Sequence, residues 1–421
     1  CILYKVLEHI MASQLVEHMN SHDLLYELQH GFRENRSCET QLAMLVEDLA
    51  RNVSEGKQTD LVLLDFSKAF DKVNHSKLLW KLHQYGIRGK ALGWIRAFLG
   101  NRSQSVILEG EESGSVPVTS GVPQGSVLGP ILFLVYINDL PEQLASQVRL
   151  FADDTAVYLT IEGADSGKVL QNDLDTLSVW ESRWDMEFNP SKCQVVRVTT
   201  SRSPINTLYH LHGQVLEVVT SARYLGVDIS RGLSWNSHID RITANANRTL
   251  GFLRRNIKTK LPRVRETAYN TLVRPQLEYA APIWDPHTIT KILQLENIQR
   301  RAARWTNSDF DSRSSVTTML NTLGWRSLEQ RRADARLCLF YRIVYGLVAI
   351  PMPDYIQPIT RDSSNCHSMA YRQVHTSKDL YKYSFFPLAI VQWNALPESV
   401  VCLPTLDAFK GAVGKLHHSR P

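Results

Sequence analysis

Asp60-Leu61-Val62-Leu63-Leu64-Asp65-Phe66 is a short apolar run bounded by charge. Four consecutive apolar residues with no helical period predict a β-strand buried on both faces. Asp65 closes that run, so a carboxylate stands at the end of a buried strand, where charge is expensive. Further along, Val148–Phe151 and Thr155–Thr160 are two more strand-like runs, and Ala152-Asp153-Asp154 between them predicts a hairpin with two carboxylates at its tip.

Working outward, the first 60 residues read as helix to about Asn20, a connector from Gln29 to Ser37, and a helix from Glu39 to Val53. Helical patterns return at Ser76–Tyr85 and Lys90–Leu99, and β-like stretches lie at Ser105–Leu108 and Val116–Thr119. A Gly/Pro loop, Gly121–Gly125, leads into an apolar helix, Ser126–Leu140, that stops at Pro141. An amphipathic helix over Leu170–Glu187 ends at Asn189-Pro190, followed by short strands at Gln194–Val198 and Arg223–Ile229. From Trp235 to about Val348 the pattern is helical, and Pro351, Pro353 and Pro358 open an irregular tail.

At 421 residues, with about 150 per domain, the chain has room for roughly three domains. With 43% apolar and 21% charged residues it is ordinary globular protein, neither disordered nor fibrous. The longest uncharged apolar stretch, Val127–Asn138, falls far short of the ~20 residues a bilayer requires. Six scattered cysteines, without a C-x-x-C pair, point to a reducing compartment; Cys338, Cys366, His367 and Cys402 are too dispersed for a zinc knuckle. The opening turns carry Lys5, Glu8 and His9 among apolar residues, unlike a secretory signal, and read as a chain beginning mid-domain. The formal charge is +5, yet Arg241–Arg342 holds 19 Lys and Arg against 8 Asp and Glu, or +11, leaving 5 − 11 = −6 elsewhere. A basic helical segment with interspersed aromatics (Phe252, Tyr269, Tyr279, Trp284, Trp305) suits a polyanion, although solvated helix faces would give the same count.

Asp65, Asp153 and Asp154 are the residues most suited to chemistry. Carboxylates converging at a sheet edge repel one another unless a multivalent cation sits between them, and hard oxygen donors suit Mg²⁺. Two such ions about 4 Å apart can promote in-line phosphoryl displacement. An Asp-Asp pair by itself is commonly just a turn, and it is the strand context and the partner at Asp65 that set this one apart.

Asp65-Phe66-Ser67-Lys68-Ala69-Phe70-Asp71 resembles the first catalytic motif of reverse transcriptases of non-LTR retrotransposons, and Phe151-Ala152-Asp153-Asp154 resembles their signature hairpin. Ser120-Gly121-Val122-Pro123-Gln124-Gly125-Ser126 is similar to the motif leading into the template-contacting helix. Asn189-Pro190-Ser191-Lys192-Cys193 and Tyr224-Leu225-Gly226-Val227 resemble the two later palm motifs, and Gln29-His30-Gly31-Phe32-Arg33 with Ser37 a fingers motif. Leu295–Arg304 is similar to a basic thumb helix, and Phe385-Phe386-Pro387 with Trp393-Asn394-Ala395-Leu396-Pro397 to a recurring closing pattern, for which aromatic packing on the thumb is the plain explanation.

The resemblance implies an α+β right-hand polymerase with a ferredoxin-like palm: partial fingers over 1–60, palm over 61–232 with inserted fingers helices at about 75–115, a basic thumb over 233–348, and a tail over 349–421 packed on it. It implies two Mg²⁺ ions, replaceable by Mn²⁺, held by Asp65, Asp153, Asp154 and the Phe66 carbonyl. Phe70 would be a steric gate against the ribose 2′-OH, though a core ring would look the same. Gln124 and Gly125 would meet the nascent pair, and Lys192 would protonate the leaving pyrophosphate. Arg33 and Arg36 would contact template phosphates, and Tyr224, Leu225 and Gly226 would grip the primer terminus.

The implied partners are an RNA template, a DNA primer or target, and dNTPs, in a nuclear or cytoplasmic ribonucleoprotein that is neither secreted nor membrane-bound. Relatives carry an Arg-Pro-Ile-Ser-like fingers segment before the position of Cys1, and its absence here predicts weak triphosphate binding and low activity. Two other readings stand beside this one: an RNA-templated RNA polymerase, against which Phe70 argues, and a non-catalytic nucleic-acid-binding remnant, against which three intact carboxylates argue.

Overall fold

The computed structural model describes residues 2–359 and 367–418; Cys1 and Cys366 lie outside them. Two compact units emerge, one of Cys1–Gln41 with Lys57–Ala222 and one of Leu42–Gly56 with Arg223–Pro421. No helix among the described residues is long and apolar enough to cross a membrane.

The first unit is built on a five-stranded sheet. Its strands are β1 (Gln58–Leu64), β2 (Gln147–Phe151), β3 (Asp154–Ile161), β4 (Gln194–Val198) and β5 (Glu217–Val219), in the order β5-β4-β1-β3-β2. The β4-β1-β3-β2 portion is antiparallel throughout, which is the ferredoxin-like order of a β-α-β-β-α-β chain. Every residue of β1 is buried, as its unbroken apolar run requires. Around the sheet lie α1 (Ile2–Ser21), α3 (His75–Gln84), α4 (Gly89–Leu99), α5 (Leu128–Ile137) and α6 (Ala164–Trp184), while α2 (Cys38–Ser54) begins in this unit and continues into the second. The core joins Val62 and Leu64 of β1 to Leu132 and Phe133 of α5 and to Leu170, Leu174 and Leu177 of α6.

Some boundaries differ from the sequence reading. Helix α6 starts six residues earlier than its apolar period and ends where Asp185 turns left-handed, at φ 54°. The β-like stretches near 105 and 116 shrink to two-residue strands, all of whose residues are exposed and so gain little from burial. Arg223–Ile229 is two strands, Ser221–Tyr224 and Val227–Ser230, around a turn at Leu225-Gly226.

In the second unit α7 (Asn236–Asn256), α8 (Ile289–Asn307), α9 (Leu328–Val344), α10 (Phe385–Asn394) and α11 (Leu406–His418) pack together. The tail closes on α9 through aromatic rings: Phe340 meets Trp393 at 5.4 Å and Tyr341 stacks on Phe409 at 4.5 Å. Leu42–Gly56, counted from sequence with the N-terminal segment, belongs instead with this unit. Its apolar face (Leu42, Leu45, Leu49, Val53) is buried outside the core of the first unit, and polar ties add to it: buried Glu47 accepts hydrogen bonds from the phenols of Tyr355 and Tyr381, and the Lys378 ammonium bonds the Val53 carbonyl.

His30 illustrates what burial does inside the first unit. It is 2% exposed, pairs with the Thr40 hydroxyl at 3.0 Å, and is pushed down to about 3 by lost hydration and then by Arg36, Arg149 and Arg33. A histidine kept neutral on folding stabilises the fold fully above its unfolded value of about 6.5 and loses that contribution as pH falls toward 3. Wild type should therefore lose ~2 kcal/mol between pH 6.5 and 5 relative to His30→Asn, measured as the difference between their urea-unfolding free energies at the two pH values.

Candidate active site

Asp65 follows β1 directly, and its backbone is fixed from one side. Asn189 N donates to Asp65 O and Ser67 N to Glu187 O, both at 2.8 Å, so residues 65–67 and 187–189 form a short antiparallel bridge in which Phe66 stacks on Phe188 at 4.1 Å. Those two bonds leave the Phe66 carbonyl out of the bridge. Glu181, buried on α6, accepts from Phe188 N and from His212 Nε2, which anchors the 187–189 segment. The same segment brings the Lys192 ammonium to 3.6 Å from Asp65 Oδ1.

The hairpin that carries Asp153 and Asp154 is held from the other side. Phe151 faces Asp154 across a two-residue turn in which Ala152 is left-handed, at φ 54°. Residues 28–31 run alongside β2: His30 N donates to Leu150 O, Leu150 N to Leu28 O, and Gln29 Oε1 accepts from both Gly31 N and Ala152 N. A Cβ at Gly31 would stand 2.3 Å from Ala152 N, so only glycine fits there. The sequence motif around Gln29 thus clamps the acidic turn, a role that its residues did not reveal beforehand. Arg33 and Arg36 each donate to a backbone carbonyl, of Tyr26 and Glu27. Burial lowers both guanidinium pKa values, that of Arg36 to about 10 with the charge of Arg33 contributing.

The loop after Ser120 is strapped to the helical turn that follows Asp65. Gly121 N donates to Val73 O and Val122 N to Phe70 O, and a Cβ on Gly121 would meet Asp71 Cα at 2.9 Å. Exposed Gln124 donates to Asp71 Oδ1 at 3.0 Å, which makes Asp71 an organiser of this loop that the sequence reading did not single out. Gly125 is exposed, with open space beside it. From α1, buried Glu8 accepts from Val127 N at 2.7 Å and so caps the entry to α5. Phe70 stacks on Phe133 at 4.4 Å with its ring edge toward Phe32 at 6.2 Å, yet remains part-exposed.

Tyr224, Leu225 and Gly226 form a turn in the second unit, held there by Tyr279 Oη donating to Leu225 O and by Arg241 donating to Gly226 O. Arg241 also binds Asp228.

Electrostatics singles out the acidic edge. Lost hydration raises the Asp153 carboxyl, and Asp65 adds to it. Asp154 is raised to about 6 by the partial withdrawal of its carboxylate from water, then by Asp153 and Asp65. Among the described residues no three His, Cys, Asp or Glu side chains form a ready metal cage. Lys192 brings an ammonium beside Asp65, on one side of this group of like charges. The donor set nonetheless fits a hard divalent cation, being all oxygen with mutually destabilised charges that such an ion would relieve. Asp154→Asn should raise the stability of the metal-free protein at pH 7.5 by on the order of 1 kcal/mol, after allowance for solvent screening, and should shrink the stabilisation given by added Mg²⁺. Thermal melts with and without Mg²⁺ check both, and a lowered midpoint in metal-free buffer would refute the repulsion.

Residues 1–229 match the family described as reverse transcriptase (RNA-dependent DNA polymerase). Over 318 residues the chain is 27% identical to a probable RNA-directed DNA polymerase from transposon BS of Drosophila melanogaster, covering 72% of this chain and 35% of that protein. A probable RNA-directed DNA polymerase from the X-element transposon of the same fly is 29% identical over 310 residues, covering 71% and 34%. The chain spans about a third of the length of these curated relatives. Among solved structures, apo telomerase from Candida tropicalis aligns over 78% of this chain and 53% of that one, with 10% identity and a TM-score of 0.45. With more than half of its residues matched to the family, the chain belongs to the reverse transcriptases, among those of non-LTR retrotransposons.

Proposed function

We propose that this chain performs RNA-templated DNA synthesis, extending a DNA 3′-hydroxyl with dNTPs. The observation that carries the reading is the hairpin at the end of a ferredoxin-like sheet, where Asp153 and Asp154 are each raised by burial and by the charge of Asp65. Reverse transcriptases use divalent metal ions, and here Asp65, Asp153, Asp154 and the Phe66 carbonyl would hold two Mg²⁺, or Mn²⁺ in their place. Bound there, the ions supply positive charge that lowers the pKa of the attacking hydroxyl and neutralises the leaving pyrophosphate.

The chain's own residues supply the rest. Phe70, backed by Phe133, presents a rigid ring under the sugar and excludes a 2′-hydroxyl. Gln124, oriented by Asp71, borders the nascent pair with Gly125. Lys192, with its Nζ 3.6 Å from Asp65 Oδ1, would meet the departing phosphate. Arg33 and Arg36 retain free N–H groups for template phosphates, and the Tyr224–Gly226 turn receives the primer end.

Primer extension on an RNA template with Mg²⁺ tests the proposal. Asp153→Asn should reduce extension at least about 100-fold while template binding is unchanged. Equal extension by both proteins would defeat the proposal. Phe70→Ala should lower discrimination against ribonucleotides by roughly 10-fold or more, the range an apolar pocket commands, as read from paired rNTP and dNTP incorporation rates.

A further inference from the structure

From Lys72 to Leu108 the sequence holds seven Lys and Arg residues and no Asp or Glu. Three of these cations are answered from outside the segment: Lys72 by Glu187, Lys77 by Asp185 and Lys81 by Asp139. Arg88, Lys90, Arg96 and Arg102 have no acidic partner among the described residues, and the first three are exposed on or beside α4. A run of 37 residues whose unpaired charges all share one sign is a surface that draws a polyanion.

Between α3 and α4 lies an open groove of about 530 Å³. Leu79, Trp80, His83, Leu92 and Arg96 line it. Trp80 is 51% exposed, although one side of its ring is fixed 5.9 Å from buried Trp184. The ring is held from within, by a neighbour that the Lys81 ammonium also covers at 3.6 Å, and keeps its remaining surface toward solvent. A half-exposed indole held in place has already lost its rotamer freedom and can accept a flat ring at small further entropic cost.

We propose that the α3–α4 groove is an accessory binding surface for single-stranded RNA, with a base stacked on Trp80, a phosphate at Arg96 in the groove, and the strand continuing toward Arg88 and Lys90 at the start of α4. Arg96 lines the groove with the anchored indole, and exposed Arg88 and Lys90 stand at the start of the same helix; cations beside an aromatic platform are the combination that holds single strands without regard to sequence. An acidic protein helix would satisfy the cations, but it would leave the exposed indole face without a flat partner. The choice of RNA over DNA rests on the polymerase reading, in which the single strand present on the protein is the template; the basic aromatic groove does not depend on that reading.

The test uses the full chain, first saturated with an unlabelled DNA-primed RNA template hairpin, then titrated with fluorescein-labelled 12-nucleotide oligouridine. Trp80→Ala should weaken binding about 10-fold and Trp80→Phe should restore most of it, as expected for loss and return of a stack. Arg88→Gln with Lys90→Gln and Arg96→Gln should lower the slope of log affinity against log salt by about 2, since each phosphate contact on a single strand accounts for about 0.7. All variants should melt at the wild-type temperature and extend the hairpin at the wild-type rate. Unchanged affinity in Trp80→Ala together with an unchanged slope in the triple variant overturns the proposal. So does tighter binding of the matching deoxyoligonucleotide, or displacement of RNA by polyglutamate at equal charge. Loss of hairpin extension in wild type would count against the polymerase reading alone, because the groove is measured by binding.

Discussion

Like-charged carboxylates at the edge of a buried sheet would push apart if their backbones were free to move. Here they are not. The strand ending in Asp65 is bonded to residues 187–189, and the turn bearing Asp153 is bonded to residues 28–31. Backbone hydrogen bonds contribute only about 1 kcal/mol each, but four or five acting on two short segments fix positions that charge alone would scatter. The acidic edge is thus fixed largely through backbone groups rather than through ion pairs of its own carboxylates, Lys192 beside Asp65 apart.

That arrangement explains why residues far apart in sequence behave as one site. Glu181 acts on Phe188, Phe188 on Phe66, and the bridge they form sets Asp65 and Lys192 together. Glu8 and Asp71 do the same for the loop at Gln124, one from α1 and one from the turn after Asp65. None of these supporting groups needs to touch a substrate in order to govern where a substrate would sit.

Much of the fold was legible in the sequence because its signals were local. The unbroken run Leu61–Leu64 reads as a doubly buried strand and is one; the tip Ala152-Asp153-Asp154 reads as a hairpin and is one. What escaped was non-local or hidden in common residue types. Glu8 looks like any solvent-facing glutamate on an amphipathic helix until Val127 N is found against it. The Gln29–Gly31 segment carries no strand pattern, since its pairing with β2 uses backbone groups that composition does not encode. Leu42–Gly56 looked like part of its sequence neighbourhood, and contacts with residues more than 300 positions away, among them the phenols of Tyr355 and Tyr381 on Glu47, assign it elsewhere.

That last contact has a bearing on biosynthesis. Glu47 meets partners 308 and 334 positions downstream. During translation its helix leaves the ribosome long before the residues that cover it, so the second unit cannot close until nearly the whole chain has emerged. Until then a carboxylate destined for the interior stays in water, and the nascent protein carries an unfinished seam that the final hundred residues must seal.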